Sequence, residues 1–166
     1  MVKQEGRYDV IVIGAGPGGY SAAVRAGALG LKTCLIEKDT PGGVCLNWGC
    51  IPTKSLISQA GIFHSRHALE AMGSVVDTAR FDYGYVHEQS REAVRTLISG
   101  VEQLIKRNKV SYIKGTATIL SQNGVVLDDS TELTGDAIII ATGSRPLQIR
   151  GFEFDGNQVL SSTEIL

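Results

Sequence analysis

Cysteine is scarce in this chain. Cys34, Cys45 and Cys50 are the only three in 166 residues, and the count is odd. That argues against a secreted, disulfide-stapled scaffold. Neither sign of charge is in excess, since 16 Lys and Arg stand against 17 Asp and Glu, a net charge of −1. No global field would draw in nucleic acid or an anionic membrane surface, so neither is expected as a partner. There is no basic-then-apolar leader, no apolar run long enough to span a bilayer, no internal repeat and no low-complexity segment. The expected location is the cytoplasm or an organelle matrix. What remains is 43% hydrophobic and 20% charged, the profile of a soluble globular protein with one domain and a real core.

The order of patterns is informative. Residues 8–13 (YDVIVI) form a β-rich run, followed by GAGPGG at 14–19 and an alanine-rich helical stretch ending at Gly30, a plausible helix C-cap. KTCLIEK at 32–38 reads as a second buried strand. Strand, glycine turn, helix and strand make a βαβ unit with parallel strands. Residues 53–70 read as one helix with Leu56, Ala60 and Phe63 on one face. Residues 87–107 give the clearest helix, with an apolar stripe of Val94, Leu97, Ile98, Val101, Leu104 and Ile105. Its charges, Arg91, Glu92, Arg95, Glu102 and Lys106, read as a solvated face. Residues 110–134 switch to a shorter period, three antiparallel strands joined by turns at Asn123-Gly124 and Asp129-Ser130. DAIIIATGSRP at 136–146 reads as a buried strand entering a glycine loop, and the SSTEIL tail shows no capping signal.

Gly14, Gly16 and Gly19 have G-x-G-x-x-G spacing between a strand and a helix. The first glycine permits the tight turn, the second lets the backbone approach a pyrophosphate, and the third lets helix and strand pack closely. Phosphates would sit at the helix N-terminus. Glu37, 18 residues past Gly19, can accept hydrogen bonds from both ribose hydroxyls of an adenosine. This fingerprint predicts a dinucleotide without choosing between NAD and FAD.

Cys45 and Cys50 lie in GGVCLNWGCIPTK with four residues between them. Zinc is disfavoured, because no second pair or suitably spaced Cys/His set exists, and no metal is expected. Cys34, mid-strand among apolar neighbours, reads as a buried inert thiol. A redox-active pair is the best account of Cys45 and Cys50. On a regular helix their Cα atoms would lie ~8–9 Å apart, beyond the ~7 Å limit for a disulfide. The segment must therefore break if they bridge. Gly49 loosens it, and Pro52 suits the first turn of a helix starting near Cys50. A helix terminus favours a thiolate by about 0.3–1 kcal/mol, or ~2 when partly buried. A strongly stabilised thiolate would need further help from a cofactor, a cation or a base. A flavin connects hydride chemistry to thiol chemistry, which tips the dinucleotide toward FAD.

Together GAGPGGYSAA, IEKDTPGGVCLNWGCIPTK and AIIIATGSRP resemble the FAD-dependent pyridine nucleotide–disulfide oxidoreductases, and within them the dihydrolipoamide dehydrogenase-like branch. The leucine after Cys45, the IPTK ending and the GFEFDG…VLSSTEIL tail favour that branch over glutathione- or mercuric reductase-like members. Trp48 departs from the family pattern, which often has valine there. The resemblance implies an α/β, Rossmann-like dinucleotide-binding fold with a parallel sheet and an inserted three-stranded antiparallel β-meander. It implies an incomplete FAD-binding domain over 1–146 and a connector over 147–166 toward an absent NAD-binding domain.

By the same resemblance Cys45 is the interchange thiol, Cys50 the thiol against the flavin, and Lys54 reaches the flavin edge. Gly14, Gly16, Pro17, Gly18 and Gly19 cradle the pyrophosphate, while Glu37 and Lys38 meet the adenosine. Gly43, Val44 and Cys45 contact the cofactor, Gly115 and Ala117 pass the adenine, and Thr142, Gly143 and Ser144 close over it. Taken alone, Lys54 and Ser144 would read as a surface lysine and a turn serine. The implied reaction passes electrons from a dihydrolipoyl group of a 2-oxo acid dehydrogenase or glycine cleavage complex, through Cys45/Cys50 and FAD, to NAD. The implied parent is a homodimer.

The second NAD fingerprint and the His-Glu pair of such a parent are not found in this sequence. The isolated chain is therefore expected not to turn over. Two alternative readings stand beside this: a stand-alone, non-catalytic dinucleotide-binding module, and a related family member, glutathione- or mercuric reductase-like, with another substrate. His64, His67 and His87 match no catalytic base of the family. Alanine at any of them, in a longer active parent, should leave turnover essentially unchanged, and abolition by His64→Ala would overturn this assignment.

Overall fold

The computed structural model describes residues 4–166, so the first three residues of the expected 1–146 domain lie outside the described part. The chain divides into two compact units. The first is the chain up to Cys45 with Ile98–Leu147, and the second is Leu46–Leu97 with Gln148–Leu166.

The first unit contains one six-stranded sheet. Its strands are β1 (Gln4–Ile13), β2 (Thr33–Glu37), β3 (Ser111–Lys114), β4 (Ala117–Ile119), β5 (Gly124–Leu127) and β6 (Glu132–Ile140), in the order β3-β2-β1-β6-β5-β4. Four neighbouring strands, β3-β2-β1-β6, are parallel, and β5 and β4 add on antiparallel. This is the α/β, Rossmann-like arrangement that the sequence implies. Helix α1 (Pro17–Ala28) makes the crossover between β1 and β2. Ile11, Ile13, Cys34, Ile36, Val125, Leu127 and Leu133 form the core.

The antiparallel part differs from expectation in its boundaries. The meander consists of β4, β5 and the first half of β6. VSYIK instead supplies a parallel edge strand, because Gly115 and Thr116 interrupt it before β4. TELTG and DAIII fuse into one strand that pairs with β5 early and with β1 along its length. A Cβ at Gly135 would come 2.9 Å from the Ile11 side chain, so a larger residue there would have to displace Ile11 in the core. Asn123 secures the point by donating its side-chain amide to the Gly135 carbonyl at 2.8 Å. The end of β6 is not buried, since Ile139 is 38% and Ile140 65% exposed.

The second unit contains α3 (Cys50–His64) and α4 (Arg66–Ala71), with α2 (Gly43–Trp48) and α5 (Tyr83–Arg107) crossing between the two sets of residues. The single helix expected over 53–70 is broken at Ser65, whose hydroxyl donates to the Ile62 carbonyl at 2.6 Å. Helix α5 begins four residues earlier than expected, and Val94, Val101 and Ile105 are buried while Leu97 and Leu104 are not. The tail does carry a capping signal. Ser161 and Glu164 form a reciprocal capping box that starts α6 (Ser162–Ile165).

Cys34 is fully buried in the core. Desolvation pushes its thiol from the ordinary 9.0 up to about 12, with a hydrogen bond to Tyr8 acting the other way. Between those values only the unfolded chain ionises, so the thiol's contribution to stability is present below pH 9.0 and is lost as pH rises toward 12. Cys34→Val should remove that slope from a stability–pH curve. In the folded protein, iodoacetamide should spare Cys34 at about pH 8, and its rapid alkylation would contradict the burial.

Candidate active site

All four parallel strands end at one edge of the sheet. Ile13 is in register with Ile36 and with Ile140, and Glu37 with Lys114. Backbone hydrogen bonds carry the pairing one step into the loops: Gly14 N–H to Ile36 O at 2.8 Å, Ala141 N–H to Ile13 O at 2.8 Å, Gly115 N–H to Glu37 O at 2.9 Å. Strand order reverses beside β1, and crevices at such carboxyl edges are where open α/β sheets take ligands.

A cleft of about 190 Å³ opens there. It is lined by Gly14, Glu37, Lys38, Gly115, Ala117 and Thr142, all singled out from the sequence, together with Ile13, Ile36 and Thr116. Thr116 had no sequence signal. Asp128 accepts from the Thr116 N–H at 3.2 Å and donates its own N–H to the Thr116 carbonyl at 3.1 Å, fixing that lip. Asp128 also had none, being one of two adjacent turn aspartates. Gly143 and Ser144 follow Thr142 and are exposed without lining the cleft.

The glycine turn is built by close approach. Gly14 has φ +98, and a Cβ on it would strike the Ala141 carbonyl oxygen. A Cβ on Gly19 would strike the Gly14 carbonyl oxygen, which is how α1 packs onto the turn. Around Gly16 the nearest atom to an added Cβ is the Cα of Gly43, at 3.9 Å, so space remains over it. Helix α1 has Pro17 in its first turn, no acidic side chain there and no side-chain cap. Gly18 is exposed, with nothing within 4 Å of an added Cβ. This end of the helix therefore offers N–H groups and a favourable dipole to an anion without competition.

Glu37 does more than face the cleft. Its Oε2 accepts from the Ala15 N–H at 2.7 Å and its Oε1 from the Asp39 N–H at 2.9 Å. Each carboxylate oxygen keeps a second lone pair, so ribose hydroxyls can be accepted as well.

The thiol segment follows directly. Gly42 N–H donates to Ala15 O at 2.8 Å, and a Cβ on Gly43 would come 2.7 Å from Gly16 Cα, which seats this segment on the glycine turn. Val44 is exposed, and Cys45, partly buried, lies in α2. The break falls at Gly49, with φ −144 and ψ −111, and Cys50, exposed, opens α3 with Pro52 in its first turn. The two cysteines are therefore not on one regular helix. Both are thiols in this structure, as is Cys34. Lys54 lies one turn beyond Cys50 on the same face of α3, within the second unit.

Arg91 on α5 was read from its helix position as solvated, and that reading is corrected. Its Nη1 donates to the Asn47 carbonyl at 3.1 Å, while Nε and Nη2 are shut off from solvent with no hydrogen-bond partner among the described residues. Among the described residues no group of three or more His, Cys, Asp or Glu side chains is arranged to hold a metal ion. No helix among them is long and apolar enough to cross a membrane.

Residues 8–166 match the family described as pyridine nucleotide-disulphide oxidoreductase. The chain is 42% identical over 164 residues to a dihydrolipoyl dehydrogenase of Chlorobaculum tepidum, covering 96% of this chain and 35% of that protein. It is 43% identical over 161 residues to one of Geobacillus stearothermophilus and 44% identical over 161 residues to one of Staphylococcus aureus, each covering 95% of this chain and 34% of the relative. The chain thus spans about a third of the length of the curated relatives it matches.

Removing the Glu37 carboxylate leaves two backbone donors without their acceptor. Glu37→Ala should cost about 1–3 kcal/mol in denaturant unfolding, and Glu37→Gln, which keeps one acceptor oxygen, less. Equal stability of all three proteins would show that the tethers carry no weight.

Proposed function

This chain belongs to the pyridine nucleotide-disulphide oxidoreductase family, and from that membership we propose that it is the FAD-binding, redox-thiol-bearing part of a longer dihydrolipoyl dehydrogenase-type enzyme. FAD as cofactor and NAD as co-substrate are what the family implies. One observation carries the reading: Glu37, Gly14, Gly115, Ala117 and Thr142 share one cleft at the carboxyl edge of the parallel sheet. In this reading the cleft would take the adenosine of FAD, with its ribose hydroxyls on Glu37 and its base against Gly115 and Ala117. The pyrophosphate would lie over Gly16 at the open end of α1, cradled by Pro17, Gly18 and Gly19. In this reading residues 1–146 form the FAD-binding domain and 147–166 lead out of it.

When bound, FAD supplies a two-electron acceptor between thiols and NAD. This chain's own residues do the thiol work. In the oxidised enzyme Cys45 and Cys50 form a disulfide. A lipoyl thiolate attacks the Cys45 sulfur, releases Cys50 as thiolate and forms a mixed disulfide. The second lipoyl thiolate then displaces Cys45, leaving an oxidised lipoyl group and two protein thiols. By the family's pattern, Cys50 would be the thiol that exchanges electrons with the flavin when FAD is bound, and Lys54 would help hold it. The lipoyl group would belong to a 2-oxo acid dehydrogenase or glycine cleavage complex, with the longer enzyme acting as a homodimer in the cytoplasm. The 166-residue chain alone is not expected to reduce NAD.

Titrating the purified chain with FAD, followed by flavin fluorescence and visible absorbance, tests the reading. Saturable binding should weaken at least tenfold in Gly16→Val and Glu37→Ala. Binding that ignores both substitutions would place FAD elsewhere and sink the assignment of the cleft.

A further inference from the structure

Arg91 and Trp48 form a pair that the nucleotide reading leaves unused. The Arg91 guanidinium lies 5.7 Å from the centroid of the Trp48 ring, within cation–π range. Its Nη1 holds the carbonyl of Asn47, itself buried at 7% exposure and 44 residues away in sequence. Both contacts fall on the last turn of α2, in the segment between Cys45 and Cys50. The remaining donors, Nε and Nη2, are shut off from solvent with no hydrogen-bond partner among the described residues. Two such donors on a cation are costly, and a ring face offsets only part of that cost. An arrangement that lowers stability in this way calls for another return, and functional sites are where such costs concentrate.

We propose that Arg91 is a positioning residue for the redox turn: by gripping Asn47 and Trp48 it fixes the residues that a Cys45–Cys50 disulfide must enclose. Closing that ring costs the conformational freedom of the enclosed backbone, and a turn already fixed has less to lose. Arg91 therefore raises the effective concentration of one thiol at the other. The proposal rests on the redox-pair reading, and its test separates the two.

The 166-residue chain is equilibrated in buffers of reduced and oxidised glutathione, then trapped and weighed by mass spectrometry. Two protein thiols become one disulfide as glutathione disulfide becomes two glutathione thiols, the cysteine protons passing to the released glutathione thiolates. In Arg91→Met the equilibrium constant for the Cys45–Cys50 disulfide should fall about tenfold. Its thermal midpoint should change little, because losing the bond to Asn47 is offset by removing two desolvated donors. Arg91→Lys can still reach the Asn47 carbonyl but loses the flat ring contact, and should fall between. Emission of Trp48, the chain's one tryptophan, should change in both variants. A wild-type disulfide constant in Arg91→Met overturns the proposal. So does a loss in Arg91→Met that merely tracks a lower midpoint while stable Arg91→Lys keeps the wild-type constant. Absence of any Cys45–Cys50 disulfide in the wild type overturns the redox-pair reading, and this proposal with it.

Discussion

The carboxylate of Glu37 ties together loops that the sheet ladder alone would leave apart. By accepting from Ala15 and from Asp39, it fixes the crest of the glycine turn and the exit from β2 with a single side chain. Charge-assisted bonds to backbone N–H groups are among the stronger ones available. Once the crest is fixed, the rest has a surface to build on. Helix α1 packs where Gly19 meets the Gly14 carbonyl, and the thiol segment docks where Gly42 and Gly43 meet Ala15 and Gly16. The charge that would recognise a ribose is thus also the charge that holds the site in shape.

This explains why the βαβ unit could be read from the sequence. Every device in it is local: a strand buried on both faces, a turn that only glycine can make, a helix with no competing cap and an acidic residue at the next strand's end. Cys34 could be read for the same reason, since a thiol in a continuous apolar run has nowhere to go but the core. The later part resisted because its decisive contacts are long-range. Gly135 looks like a strand breaker, yet it is the residue that lets β6 pass Ile11 without a clash. Ile139 and Ile140 look buried by composition, yet they lie at the outer end of β6. Ser161 and Glu164 are local too, a four-residue capping box whose reciprocal bonds start α6 where composition alone suggests only a tail.

The cleft shows the same division within one site. Its floor and near side come from Ile13, Gly14, Ile36 and Glu37, at the ends of adjacent strands whose register follows from the motif. Its far lip comes from a loop between β3 and β4, held by an aspartate in the next hairpin. Nothing about Asp128 in sequence distinguishes it from Asp129. What distinguishes it is that β4 pairs with β5, placing that turn beside Thr116.

Arg91 shows why helix periodicity is an incomplete guide to environment. The stripe rule assigns a residue to a face by angle alone, and it assumes that what lies off the stripe meets water. Around residues 47–48 that assumption fails, because the turn between the cysteines rises against the flank of α5 and covers the guanidinium. The cleft at the sheet edge is lined by residues at strand ends and in the loops that follow them. The thiol turn is shaped by a tryptophan and an arginine brought together from distant parts of the chain. Neither of them lines the cleft, so on the proposed reading a change at this pair would act on the thiols and leave the cleft's lining untouched.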